Sequence, residues 1–314
     1  MKLNKISVKG MSREDWLIQR KKTIGGSEAA ALVGMSKYSS PYMVWADKTN
    51  RLPEQEDNEA MRIGRDLEEY VAKRFTEATG KKVRRENYML YNPLYPHSHA
   101  DVDRMVVGEN AGLECKTTNT LDIKQFKGVD FPDKYYVQCV HYMAITGADR
   151  WYLAVLVFGK GFFTYILERD QEEIDALMKA ENDFWESYIE NDVPPVPDGK
   201  TPTTETIKVI YDKGTQDDVV NLIGRENLLN EYISIKKQIS SSKERLDEIE
   251  NIIKNDLKEF TGGECRGFKV TFKNGSRKTL NSKALIEDNP NIDINDYYSV
   301  SAYRTLKITQ DKEI

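Results

Sequence analysis

Gly112-Leu113-Glu114-Cys115-Lys116-Thr117, preceded by His99-Ala100-Asp101-Val102-Asp103-Arg104-Met105-Val106-Val107, decides how this chain folds. Side chains alternate across a strand. Glu114 and Lys116 therefore share one face, while Leu113 and Cys115 turn to the core. A carboxylate beside an ammonium on an apolar strand has two readings: an ordinary cross-strand charge couple, or part of a reactive site. The upstream run bears on the choice. Both runs read as strands, 101–107 and 111–117, joined through Gly108-Glu109-Asn110-Ala111, with Gly112 placed in the turn. Such a hairpin carries Asp103, eleven residues before Glu114, close to it across the ladder. Two carboxylates and a lysine on one sheet face suit a hard divalent cation such as Mg2+. The lysine can stabilise developing negative charge or help activate a water. Asp101 falls on the same strand face as Asp103 and rivals it.

Working outward, Ile63, Leu67, Val71 and Phe75 recur every four residues and predict an amphipathic helix over 59–79, closed by Gly80. It carries Glu68, either a third acid near the cation or a helix-surface acid. Residues 134–146 predict a helix ending at Gly147, with Tyr135 and Gln138 on it. Gln138 is either a positioning amide or an interior amide bonded to the backbone. Further strands are expected at 82–91, 150–158 and 161–168, the last two joined by Gly159-Lys160-Gly161. Short helices are expected at 14–20 and from Pro41, and a longer one at 170–191. The whole predicts an α/β core, a central mixed sheet flanked by helices.

Four prolines in 192–206 read as a linker. Residues 217–260 read as a long charged helix, with Leu228, Tyr232, Ile235, Ile239, Leu246, Ile249 and Ile253 at three- or four-residue steps. That pattern suits a coiled-coil hairpin or an extended arm. A hairpin is expected at 266–280 turning at Lys273-Asn274-Gly275, and a strand at 297–309. The expected domains are a core at 1–192, a linker at 193–214, a helical arm at 215–262 and a β-rich extension at 263–314.

Composition narrows the function classes. The 314 residues hold 46 basic and 51 acidic side chains, a net charge of −5, so a wholly basic nucleic-acid coat is excluded while a local basic groove is not. Arg20-Lys21-Lys22 and Lys81-Lys82-x-Arg84-Arg85 are candidate basic clusters, or solvated turns. No apolar run is long enough to cross a membrane. The first ten residues show no secretory h-region, and Cys115, Cys139 and Cys265 form no CxxC pair, so a reducing cytoplasm is expected. His97 and His99 read as loop histidines, and Cys115 as a small core filler.

The motifs in order, Trp16-Leu17-Ile18-Gln19-Arg20 with Ile24-Gly25-Gly26-Ser27-Glu28-Ala29-Ala30-Ala31-Leu32-Val33-Gly34, then Gly64-x3-Glu68, Val102-Asp103-Arg104, Leu113-Glu114-Cys115-Lys116 and Tyr135-x2-Gln138, resemble the signature of YqaJ-type viral recombinases. These are lambda-exonuclease-like members of the PD-(D/E)XK nuclease superfamily. The resemblance spans about residues 12–190, and Val102 stands where the superfamily's name motif has proline. It implies a restriction-endonuclease-like core. It implies that Asp103 and Glu114 bind metal with Glu68 as upstream acid, that Lys116 is the catalytic lysine and that Gln138 supports the site. Arg20 and Ser27 resemble the family's pair for a DNA phosphate, and Tyr135 belongs with the DNA-binding residues. The implied activity is Mg2+-dependent (Mn2+ as substitute) exonuclease digestion of linear double-stranded DNA in the 5′→3′ direction, leaving 3′ single-stranded tails for phage-type recombination in a bacterial or phage-infected cytoplasm. Implied partners are DNA ends, a single-strand annealing protein and two further copies in a homotrimer. An endonuclease, or a non-catalytic DNA-end-binding protein with an interaction arm, are the alternatives.

Overall fold

The computed structural model describes residues 2–54, 56–214, 219–289, 291–300 and 303–309. The chain divides into two compact units, Met1–Asp212 and Lys213–Ile314. In chain order the first unit runs β1 (Asn4–Ser7), α1 (Arg13–Lys21), β2 (Ile24–Gly25), α2 (Gly26–Leu32), α3 (Pro41–Lys48), α4 (Glu59–Thr79), β3 (Val83–Arg85), β4 (Tyr88–Tyr91), β5 (Ser98–Asp101), β6 (Arg104–Val106) and β7 (Ala111–Thr118). It continues with α5 (Asp133–Thr146), β8 (Arg150–Val157), β9 (Gly161–Glu168), α6 (Gln171–Phe184) and α7 (Thr201–Ile210).

Five strands form the main sheet in the order β3-β6-β7-β8-β9, with β7 and β8 parallel and the other neighbours antiparallel. The parallel pair requires a crossover, and α5 supplies it. That helix is apolar on most faces; Val137, Cys139, Val140, Tyr142, Met143, Ala144 and Ile145 are all buried. It packs against α2 and α6 and closes one side of the sheet. Across the sheet, α4 lays Val71, Ala72 and Phe75 against Val106, Ala111, Leu113, Tyr152 and Ala154. Burying each large apolar side chain there contributes roughly 1.5–3 kcal/mol. Asn58 caps the start of α4 and left-handed Gly80 (φ 74°) ends it, as Gly147 (φ 70°) ends α5. A second sheet, β1-β4-β5-β2, abuts this core. The expected mixed α/β core with flanking helices is thus present.

Several expectations need correction. The run 82–91 is two strands in different sheets: β3 pairs with β6, and β4 pairs with β1 and β5. The run 101–107 breaks at Val102-Asp103 for the same reason, because β5 joins one sheet and β6 the other. Gly112 lies inside β7, under the indole of Trp151, where a Cβ would sit 2.2 Å from the ring; Gly108 (φ 84°) takes the turn instead. The helix from Gln171 passes into a π turn at Trp185–Ile189. The expected 193–214 linker contains α7, started by Pro202 and packed on α3, with Thr203 buried and bonded to Ser40 Oγ at 2.8 Å. The core therefore extends to Asp212.

In the second unit, α8 (Glu226–Leu257) is one continuous helix with no buried residue, an arm and not a helical hairpin. Residues 215–218, part of the expected arm, lie outside the described residues. β10 (Gly262–Cys265) and β11 (Phe268–Thr271) form a hairpin turning at Arg266-Gly267, not at Lys273-Asn274-Gly275; Gly267 at φ 82° makes the tight turn. α9 (Ser282–Asp288) and a 3-10 turn at Ile294–Tyr297 follow. The expected strand at 297–309 is absent among the described residues, where no sheet edge accepts those backbone groups.

Candidate active site

The β6–β7 register pairs Arg104 with Leu113 and Met105 with Gly112. One step further it sets Asp103, in the break before β6, opposite Glu114. The Cys115 N–H donates to Asp103 Oδ2 at 2.8 Å and fixes that carboxylate against β7. Glu114 is buried. Lys116 Nζ lies 2.5 Å from Glu114 Oε1, and Gln138 Nε2 donates to the same oxygen at 2.9 Å and to the Tyr142 hydroxyl at 2.8 Å. Glu114 Oε2, also buried, has no hydrogen-bond partner among the described residues. From the other side, the Tyr135 ring lies 5.6 Å from Lys116 Nζ.

The electrostatics follow from crowding. Burial, then Glu114 and Glu68, push the Asp103 carboxyl well above its ordinary range. Burial disfavours the Lys116 ammonium, but Glu114 and Asp103 outweigh it and hold the lysine protonated beyond its usual range. Burial takes the Tyr135 hydroxyl up to about 12, so it stays neutral. Burial also pushes the Cys115 thiol well up, with Asp103 and Glu114 adding to it, so Cys115 is an inert filler between two reactive neighbours.

Glu68 reaches the same cleft from α4 but is already engaged. Its Oε1 accepts a very short bond from Arg104 Nη1 and a 3.3 Å bond from Arg85, while Arg104 Nη2 holds Glu69 at 2.8 Å. Among the described residues no three His, Cys, Asp or Glu side chains form a ready-made metal cage. The acids suited to a divalent cation are Asp103 and Glu114: two crowded carboxylates, one with an unpartnered buried oxygen, which a cation would satisfy. A cation that keeps most of its waters needs only one or two carboxylates. Both arginines hold Glu68 through the same oxygen, Oε1.

A cleft of about 760 Å³ opens in front, lined by α1 and α4 and floored by Asp103, Glu114 and Lys116. Arg20 stands on its wall, stacked on the Trp16 ring at 4.7 Å, and donates to Ser27 Oγ at 2.8 Å. Arg20 and Ser27 are thus brought together, as their spacing suggests. Asp101 lies on β5, with its Oδ2 4.0 Å from Arg20 Nε and 3.7 Å from His99 Nε2, and shares a second cavity with Glu68 and Asp103. The basic clusters are largely committed elsewhere: Lys21 to Asp47, Lys81 to Glu109, Arg84 to Glu86 and Arg85 to Glu68.

Sequence reasoning missed three groups. Arg104 is a buried clamp between the two α4 acids; it stands in the Val102-Asp103-Arg104 motif, but nothing local marks it as a partner of α4. Lys48 is buried and donates to the Arg20 and Thr23 carbonyls and to Glu28, bracing the segment that carries Arg20. His99, expected in a loop, is buried on β5 beside Thr23 Oγ1, and His141 bridges Glu181 and the His99 carbonyl. His97 stacks on Trp185.

A family model described as the YqaJ-like viral recombinase domain matches residues 15–149, a stretch holding every candidate residue from Arg20 to Gln138. The chain is 36% identical over 286 residues, 90% of its own length and 90% of the other's, to a Bacillus subtilis (strain 168) protein called uncharacterized protein YqaJ. The chain belongs to the YqaJ-like viral recombinase family. Its structure is similar to crystal structures of an alkaline exonuclease, LHK-Exo, from Laribacter hongkongensis (25% identity, TM-score 0.46) and of LHK-Exo in complex with dAMP (23% identity, TM-score 0.47), each over 57% of this chain and 95% of the other.

Proposed function

We propose that this protein is a Mg2+-dependent exonuclease that degrades linear double-stranded DNA in the 5′→3′ direction and leaves 3′ single-stranded tails for phage-type recombination. The observation that carries the reading is the juxtaposition of Asp103, Glu114 and Lys116 on the cleft floor, with Glu114 Oε2 unpartnered. Family membership supports it.

Asp103 and Glu114 would hold the cation, which supplies Lewis-acid charge to the phosphodiester and a more acidic water. The protein's own groups do the rest. Gln138 fixes the Glu114 carboxylate so that one oxygen is tied and the other is free. Lys116, kept protonated by the two acids, places positive charge where negative charge develops at phosphorus. Arg20, on the wall of the same cleft, and Ser27, bonded to it, suit a terminal phosphate. Tyr135 covers Lys116 and restricts water around it. Glu68, on the wall of the same cleft, would serve as the upstream acid, its Oε1 held by Arg104 and Arg85. A single-strand annealing protein receives the 3′ tails, and a ring of three copies suits processive work from an end. Among the described residues no helix is long and apolar enough to cross a membrane.

A time course on linear duplex labelled separately at the 5′ and 3′ ends, with Mg2+ and with EDTA, tests the reading. Early mononucleotide release from the 5′ label, absent with EDTA, is expected. Internal fragments or nicking of circular plasmid would make the protein an endonuclease. Tight end binding without turnover would make it a non-catalytic end-binding protein.

A further inference from the structure

The second unit carries a feature that the cleft does not use. Along the 32 residues of α8, Leu228, Tyr232, Ile235, Ile239, Ser242, Leu246, Ile249 and Ile253 are spaced four, three, four, three, four, three and four apart. This is an unbroken heptad register, with Tyr232, Ile239, Leu246 and Ile253 at a and Leu228, Ile235, Ser242 and Ile249 at d. Nothing in the described chain covers it: Leu228 is 59% exposed, Ile239 58% and Leu246 55%. An apolar seam kept in strict 3.5-residue register over more than three heptads matches a second helix with the same repeat, not a flat or irregular surface.

We infer that this seam pairs α8 with α8 of a second copy of this chain, parallel and in register. The flanking charges select both occupant and direction. In a parallel pair each g residue meets the e residue five positions on in the other helix. Glu231 then meets Lys236 of the second copy, and Arg245 meets Glu250 of the second copy, both attractive and both repeated by symmetry. Gln238 faces Lys243, and Ile252 faces Leu257, so no like charges oppose each other. The antiparallel arrangement that overlaps the whole stripe sets e against e and brings Lys236 toward Lys243, a repulsion that occurs twice. Within the single chain Arg245 pairs with Glu248 at 2.6 Å and Glu250 with Lys254 at 2.8 Å. These are exposed helix-surface pairs, weak enough to be exchanged for pairing across the seam. Ser242, alone among the eight as a small polar residue, marks the register.

Site-directed crosslinking in the full-length protein tests the inference without reference to nuclease activity. The background is Cys265→Ser, because Cys265 is the exposed thiol. Leu228→Cys alone and Ile253→Cys alone are each expected to form disulfide-linked dimers under a glutathione redox buffer. Sedimentation of the uncrosslinked protein is expected to give an even multiple of 36.2 kDa, because every α8 takes one partner and three-copy rings would then be joined in pairs. Glu231→Lys with Arg245→Glu is expected to weaken association at least tenfold, and adding Lys236→Glu and Glu250→Arg to restore it. A monomer, or an odd oligomer such as an isolated trimer, in sedimentation would overturn the inference. So would a disulfide formed only when Leu228→Cys and Ile253→Cys proteins are mixed, which is the antiparallel result, or failure of the compensating charges to rescue.

Discussion

Asp103 and Glu114 are two acids held against one another by a hydrogen bond to β7 and a strand register. The arrangement costs stability, which a bound cation would restore. The folded carboxyl of Asp103 is shifted above its unfolded value of 3.8. Its favourable contribution is therefore present below that value and lost as pH rises through the raised folded one, so ionising Asp103 beside Glu114 opposes folding. Asp103→Asn keeps an oxygen to accept from Cys115 N–H and removes the repulsion. In EDTA it is expected to raise the melting temperature by a few degrees while cleavage falls at least ~10³-fold. A lower melting temperature in EDTA would show that the carboxylate itself holds β6 to β7.

At the element scale, Gly112 faces Trp151 across the parallel β7–β8 ladder and leaves the space its indole fills. Any side chain at 112 must displace a fully buried indole. Gly112→Ala is expected to cost about 1–3 kcal/mol of stability, read as a shift in urea midpoint; an unchanged midpoint would mean that the indole moves freely. The crossover helix α5 carries a second sensitive element. His141 Nε2 donates to the His99 carbonyl at 2.7 Å, its Nδ1 lies 2.8 Å from Glu181 Oε1 and donates there when the ring is protonated, and Glu181 also accepts from Ser98 Oγ at 2.6 Å. Burial disfavours the imidazolium, but Glu181 outweighs it and raises the His141 value above 6.5. That stabilisation is full below 6.5 and fades as pH rises through the raised folded value. The stability gap between the native protein and His141→Asn is thus expected to narrow with rising pH, by no more than ~1.4 kcal/mol per pH unit. A gap independent of pH would mean that His141 is neutral throughout.

These elements were unequally legible in the sequence. α4 and α5 could be bounded nearly to the residue, because a 3.6 period closed by glycine is local information. The carboxylates and lysine could be grouped because β6–β7 is a hairpin, also local. The split of 82–91 between two sheets, and the break that parts Asp101 from Asp103, depend on partners far along the chain. So do Arg104, Lys48 and His141, whose burial is rescued only by acids or carbonyls on other elements. The turn at Arg266-Gly267 prevailed over the stronger-looking Asn274-Gly275 because strand pairing, and not the turn dipeptide alone, sets where a hairpin closes.

At the scale of the whole molecule, the first unit holds the cleft and every candidate catalytic residue, while the second presents an unpaired heptad seam. The central claim is that Asp103, Glu114 and Lys116 act together on a phosphodiester. The most direct test is the rate of nucleotide release from 5′-labelled linear duplex by Glu114→Ala and Lys116→Ala, each checked for native melting. Both are expected to lose cleavage, by at least ~10³-fold, with the fold intact. Retained cleavage in both variants would contradict the account and move the chemistry away from this cleft.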